Sequence, residues 1–285
     1  MKPLIIKYLA ISGGMAMSKV HIQNLGMIIT NNCNMNCKHC LRGKSCNKNM
    51  SKDVIEATLN QFIAIGNLCL CGGEPTLVLD VIEEIFTYMI HNKIIVDQIS
   101  MTINGTIYSL EFLKLLDSIS LHSPNCRIIL EISYDIYHQK ELERLNMWET
   151  YLENIRKYSQ SKYFYQLNRL TNGLKLFREG NAENLSPNLT VELKPIDIVV
   201  TYIGKSSKFD RNGLCNIGPF MAVNPYGIIT EDNASIEHQQ SLYNYGNVFN
   251  DTFEEVALER GRIIKPKQWN RETGKIIKKY ITYNK

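Results

Sequence analysis

Apolar residues change period repeatedly along the 285-residue chain. Short apolar runs that read as strands alternate with longer stretches whose apolar positions recur three and four residues apart, the spacing of one helical face. The first run is Met27-Ile28-Ile29-Thr30, and a polar, cysteine-rich loop follows it. Ser51 then reads as an N-cap, with Val54, Ile55, Leu59, Phe62 and Ile63 on one helical face and Gly66 as the stop. The next strand is Leu68 to Cys71, and Val81, Ile82, Ile85, Phe86 and Met89 mark the helix after it. Further strands are expected at Ile94 to Ile103, Arg127 to Ser133, Phe164 to Leu167 and Val191 to Ile203. Helical patterns run from Leu110 to Ile119 and from Glu141 to Tyr158.

This rhythm predicts an α/β fold of successive strand-helix units around a parallel sheet. A closed eight-stranded barrel takes about 250 residues, and the pattern fades after Ile203, so a partial, TIM-like (β/α)6 barrel is expected instead. The tail beyond it reads as a small α+β cap. Asn224-Pro225-Tyr226-Gly227 is a hairpin-type turn, and Thr252 to Leu258 is a short capped helix. The expected organisation is an N-terminal extension (1–26), a barrel (27–205) and a C-terminal cap (206–285).

Composition changes this picture little. Lys and Arg number 32 against 28 Asp and Glu, and the net charge of +4 gives no reason to expect nucleic acid or a membrane surface as partner. No apolar run approaches the roughly 18 residues that span a bilayer. Lys7 interrupts the stretch Pro3 to Met17, leaving a core too short for a secretory signal. Eight cysteines are too few for a disulfide scaffold, and three of them fall within eight residues, so a reducing, cytoplasmic setting is expected.

Those three, Cys33, Cys37 and Cys40, have the spacing C-x3-C-x2-C on the loop after the first strand. Three thiolates can bind three irons of a [4Fe–4S] cluster and leave the fourth open, whereas an electron-transfer cluster takes four cysteines. A structural zinc site and three inert buried thiols are the alternatives. Zinc calls for a second Cys or His pair that is not found downstream, and His39 and Cys46 are its only local candidates. Cys46 reads as a spare thiol, since a fourth thiolate would close the open iron.

With this spacing on this loop, the chain resembles the radical S-adenosylmethionine (radical SAM) superfamily over roughly Met27 to Ile203. The resemblance implies that Cys33, Cys37 and Cys40 bind a [4Fe–4S] cluster whose open iron is chelated by S-adenosylmethionine. An electron passed into the sulfonium then yields a 5′-deoxyadenosyl radical that takes hydrogen from a substrate. The position before the last cysteine is usually aromatic in this family, and here it is His39.

Cys71-Gly72-Gly73-Glu74-Pro75 ends the second strand, where two glycines permit close approach and a carboxylate can meet an ammonium. It resembles the family's GGEP motif, so Gly72, Gly73, Glu74 and Pro75 are expected at the methionyl amino group. Asn104, in Thr102-Ile103-Asn104-Gly105, resembles a Thr-Asn-Gly strand end with one residue inserted, and would face the methionine part or the substrate. Ser133 and Asp135, in Glu131-Ile132-Ser133-Tyr134-Asp135, resemble a fourth-strand motif that approaches the ribose or carboxylate. Asn181 stands where peptide-modifying members carry the arginine of a Gly-Arg-Ala element, and receives no role. Cys69 and Cys71 read as core thiols.

The tail resembles the start of a SPASM or twitch domain that has lost its cysteines. Asp232 stands where one is expected, and no cysteine follows Cys215, so no auxiliary cluster is expected and Asp232 is left to meet a substrate donor. The resemblance implies a peptide or protein side chain as substrate and an electron donor such as a flavodoxin or ferredoxin as partner. A small-molecule substrate, a glycyl-radical activase and a non-catalytic iron–sulfur or zinc-binding regulator are the alternatives.

Overall fold

The computed structural model describes residues 20–167, 175–203 and 214–263. The stretch Pro3 to Met17 lies outside them. Strand β1 (Val20–Thr30) is central to the main sheet and largely buried. Only its second half was legible as a strand, because His21, Gln23 and Asn24 interrupt the apolar run. Two of these polar residues are satisfied by the tail: His21 Nδ1 lies 2.6 Å from Asn216 Oδ1, and Asn24 Nδ2 donates to the Pro219 carbonyl at 2.5 Å. Residues 20–26, expected in an extension, are therefore part of the sheet.

Ser51 caps helix α1 (Lys52–Leu59) by accepting from the Val54 amide. The helix ends at Leu59, and Phe62 and Ile63 lead into β2 (Ala64–Gly72) rather than prolonging it. Gly66 is thus a strand residue and not a helix stop. A Cβ there would lie 2.6 Å from the Gln23 carbonyl of β1, so close strand packing accounts for the glycine. A 3-10 turn (Pro75–Leu77) leads to α2 (Leu79–His91), which buries Val81, Ile82, Ile85, Phe86 and Met89 as its periodicity requires. β3 (Ile95–Ile103), α3 (Leu110–His122) and β4 (Arg127–Ser133) follow. Two helices, α4 (Ile136–Arg144) and α5 (Trp148–Tyr158), replace the single one expected from Glu141 to Tyr158. Asn146, at φ 55°, marks the break between them. β5 (Phe164–Leu167) completes a run of five parallel strands in the order β1-β2-β3-β4-β5.

The run Val191 to Ile203 is not one strand. β6 (Leu176–Phe177) and β7 (Thr190–Val191) form a separate small sheet, and β8 (Val199–Ile203) follows Pro195, whose missing N–H suits no sheet ladder. β8 pairs antiparallel with β9 (Leu214–Gly218), which runs parallel to the first half of β1. β10 (Met221–Val223) runs parallel to the second half of β1, and β11 (Ile228–Thr230) turns back on it through Gly227, at φ 77°. The expected α/β architecture with a central parallel sheet is present, and residues of the tail extend that same sheet from β1. Helix α6 (Ile236–Gln240), β12 (Gly246–Asn247), α7 (Phe253–Arg260) and β13 (Arg262–Ile263) close the described chain. Thr252 and Glu255 form a capping box on α7.

Candidate functional site

The register brings the C-terminal ends of the parallel strands side by side: Thr30 pairs with Gly72, and Ile103 with Ile132. Open sheets of this kind build sites at that edge. The cysteine loop leaves β1 there and is folded back on itself, with Asn31 N bonded to Lys48 O and Cys46 N to Asn31 O. The Cys33 amide donates to Ser45 Oγ at 2.8 Å. Cys33, Cys37 and Cys40 are half-buried and unbridged. Burial pushes the Cys33 thiol up to about 12, and Glu74 and Cys40 add to the shift. Burial pushes Cys37 up as well, reinforced by Cys40 and Cys33. These thiols therefore feel one another's charge, an arrangement unfavourable for free thiolates and relieved by a soft metal centre. The donor set fits an iron–sulfur cluster. Cys46 instead interacts with Tyr226 of the tail hairpin.

The glycines of the second strand end serve the protein's own packing. Gly72 adopts φ 145°, and a Cβ on it would stand 2.2 Å from the Thr30 carbonyl. One on Gly73 would stand 2.1 Å from the Asn32 carbonyl. Through this contact the Gly73 and Glu74 amides donate to Thr30 O (2.7 Å) and Asn32 O (2.8 Å). Glu74 is fully buried, and its carboxylate accepts from Thr76 N (3.0 Å), Thr76 Oγ1 (2.5 Å) and Asn104 N (2.6 Å). The carboxylate expected to meet an ammonium is turned into the protein, where it joins the ends of β2 and β3.

Burial outweighs those three donors and raises the Glu74 pKa to about 7. The unfolded chain ionises this group near 4.5. Its stabilising contribution is therefore complete below about pH 4.5 and is lost as pH rises through about 7, a change on the order of 3 kcal/mol. Denaturant titrations of the cluster-free protein across that range should show this slope. Glu74→Gln, which does not ionise, should lack it.

Asn104 is also spoken for. Its Oδ1 accepts from Thr106 N (2.9 Å) and Thr106 Oγ1 (2.6 Å), while its Nδ2 donates to Asn34 Oδ1 (2.8 Å) and lies 4.0 Å from Cys33 Sγ. It thus grips the cysteine loop from the third strand end. Asp135 caps α4, accepting from Tyr137 N (3.0 Å) and His138 N (2.9 Å) through Oδ1, and its Oδ2 lies 3.1 Å from His39 Nε2. Burial opposes its ionisation, but the His39 contact and the cap bonds hold it below the usual carboxylate range. His39 in turn stacks on Tyr137, with ring centroids 5.3 Å apart. The Ser133 carbonyl accepts from Tyr151 Oη at 2.8 Å.

Sequence reasoning left two neighbours without a role. Asn181 clamps the loop from outside: its amide donates to Cys40 O (2.9 Å), and its Nδ2 donates to Cys37 O (2.9 Å) and Asn36 Oδ1 (3.0 Å). Asn181→Ala should cost about 1–2 kcal/mol in a denaturant titration, from two lost side-chain bonds at a half-exposed site. Arg42, two residues past Cys40, meets Asp232, which is consequently not free for a substrate donor. Cys71 is drawn into the same contact, with Sγ 3.2 Å from Asp232 Oδ1. Asn181 was flagged only by its place after the fifth strand, and Arg42 by nothing in its motif. Among the described residues, Glu179, Glu183 and His238 also gather possible metal-binding atoms. Glu179 Oε2 there already accepts from Ser235 N and lies 2.8 Å from His238 Nδ1.

A family profile described as "Radical SAM superfamily" matches residues 27–174, more than half of the chain. The chain belongs to the radical SAM superfamily: it is a radical SAM enzyme whose cofactors are a [4Fe–4S] cluster and S-adenosylmethionine. Among solved structures it is similar to anSMEcpe with bound AdoMet and Cp18Cys peptide, at 16% identity and a TM-score of 0.46, covering 83% of this chain and 80% of that one. It is also similar to Streptococcus suis SuiB bound to S-adenosylmethionine, at 12% identity and a TM-score of 0.38, covering 84% and 66%. The structure of SuiB bound to its precursor peptide SuiA gives 12% identity and a TM-score of 0.37, covering 83% and 64%. No curated protein matches the sequence. Among the described residues, no helix is long and apolar enough to cross a membrane.

Proposed function

We propose that Cys33, Cys37 and Cys40 hold the [4Fe–4S] cluster and that the adjoining strand ends bind S-adenosylmethionine, for hydrogen abstraction from a peptide or protein side chain. When bound, the two cofactors supply a 5′-deoxyadenosyl radical. The observation that carries this reading is the direct bonding of the thiol loop to the ends of β2 and β3, through Thr30, Asn32, Glu74 and Asn104. It joins the backbone of Gly73 and Glu74 to the start of the loop that carries the three thiols.

In this reading Glu74 acts through shape, by fixing the turn whose backbone receives the methionyl end. Asn104 sets the position of Cys33, and Asp135 holds His39, which stacks on Tyr137 rather than standing loose at the centre. Ser133 and Asp135 then bound the ribose side. The tail pairs along β1 and contacts the cysteine loop at Arg42.

The substrate reading is supported by a cleft of about 700 Å³ between the cysteine loop, the turn at Gly180 and helix α6. It is lined by Lys44, Glu183, Glu237 and Gln240, among others. Charges of both signs and polar side chains suit a peptide, whose own backbone presents donors and acceptors together. An electron donor such as a flavodoxin or ferredoxin completes the reading.

The test is anaerobic reconstitution, reduction and product analysis. The expected products are 5′-deoxyadenosine and methionine, and methylthioadenosine as the main product would overturn the cofactor assignment. With a fully deuterated peptide digest, deuterium should appear in 5′-deoxyadenosine. Deuterium delivered only by a deuterated small-molecule extract would replace the peptide reading with the small-molecule one.

A further inference from the structure

Arg42 and Asp232 lie 190 residues apart in sequence and meet beside the cysteine loop. Arg42 Nη2 is 2.8 Å from Asp232 Oδ1, and the two side chains are only 12% and 19% exposed. Arg42 Nη1 donates to the carbonyls of Asp232 and Ala234, the latter at 3.0 Å. Nη2 also lies 3.5 Å from Cys71 Sγ, and the Arg42 carbonyl accepts from Ile236 N. The cation is thus fixed two residues after Cys40, and its carboxylate partner is delivered by the tail. Burial disfavours the guanidinium charge, but attraction to Asp232 outweighs it. The Cys71 thiol is pushed up by its bond with Cys69, by burial and by Asp232, so it contributes no charge of its own near neutrality.

We propose that Asp232 is a charge-positioning residue: by neutralising Arg42 in a partly buried ion pair two residues past Cys40, it sets the reduction potential of the cluster on the cysteine loop. This rests on the assignment of the cluster to Cys33, Cys37 and Cys40. Reduction adds one negative charge to that loop. A nearby, partly buried cation without a counter-ion favours that charge, and an anion so placed opposes it. The intact pair is neutral as a unit, so the potential in the native protein lies between these two limits. Removing either partner should therefore move the potential, and the two removals should move it in opposite directions. A purely structural clamp has no reason to behave in that way.

The experiment is a redox titration of the anaerobically reconstituted holoenzyme without substrate, followed by the electron paramagnetic resonance of the reduced cluster. Asp232→Asn should raise the ratio of reduced to oxidised cluster about tenfold at a fixed poise, equivalent to about 59 mV for a one-electron couple. Arg42→Gln should lower it by a similar factor, and the double variant should return close to the native value. Arg42→Lys, which keeps the charge, should stay near the native value. Iron content tests the cluster assignment separately: a triple variant of Cys33, Cys37 and Cys40 that keeps its iron defeats that assignment, whatever the potentials of the Arg42 and Asp232 variants. Shifts of the same sign in both single variants, no shift in either, an Arg42→Lys shift matching Arg42→Gln, or loss of iron from both single variants would overturn the proposal.

Discussion

Replacing Cys33, Cys37 and Cys40 together by alanine should take the reconstituted protein from about four irons per chain to nearly none, and abolish cleavage of S-adenosylmethionine. The three side chains are half-buried and sit on a loop held by other groups: Ser45 bonds the Cys33 amide, while Asn181 bonds the carbonyls of Cys37 and Cys40. The loop should therefore survive the substitution, with an unchanged far-ultraviolet circular dichroism spectrum and little loss of denaturant midpoint. Cys46→Ala is the matched control, because Cys46 interacts with Tyr226 and its removal should leave the iron in place. A triple variant that keeps a normal cluster would dismiss the assignment, and one that binds zinc equally well would point to a different ligand set.

Local pattern revealed the elements whose neighbours impose nothing unusual. Val81 to Met89 repeat at helical spacing and are buried in α2, and Arg127 to Ser133 alternate and form β4. The pattern misled where distant chain supplies the missing partner. The first half of β1 looks too polar for a central strand until Asn216 and the Pro219 carbonyl are seen to take its polar groups. Gly66 resembles a helix stop because its real cause, the Gln23 carbonyl, lies on another strand.

The same division holds at the site. The cysteine spacing and the Gly-Gly-Glu-Pro turn are compact in sequence, so the chemistry they carry is legible there. Which atoms do the work is not. Glu74 faces Thr76 and Asn104, Asp135 faces His39, and Asp232 faces Arg42, so each carboxylate that seemed open to a ligand has a partner from the protein. Pairings of this kind join residues far apart in sequence, and no local motif encodes them. What the motifs do encode is where backbone must pass close to backbone.

That requirement gives the second large expected effect. Gly73→Ala should lower stability by at least about 3 kcal/mol, because its Cβ would stand 2.1 Å from the Asn32 carbonyl oxygen, and a backbone atom has no rotamer with which to move aside. Relief requires separating the end of β2 from the start of the cysteine loop, which breaks the Gly73–Thr30 and Glu74–Asn32 hydrogen bonds. The loss of stability should therefore be accompanied by poor retention of iron even at temperatures where the sheet remains folded. Gly43→Ala, at a site with a left-handed backbone but no close backbone contact, is the comparison variant. Gly43 has φ 79°, but a Cβ there meets only the Gly180 Cα at 3.4 Å, so the expected cost is about 1 kcal/mol. Denaturant midpoints and iron retention measured on the two variants check both parts. Equal, small losses would mean that the strand end and the cysteine loop move independently, and the close packing of Gly73 would then have no bearing on the cluster.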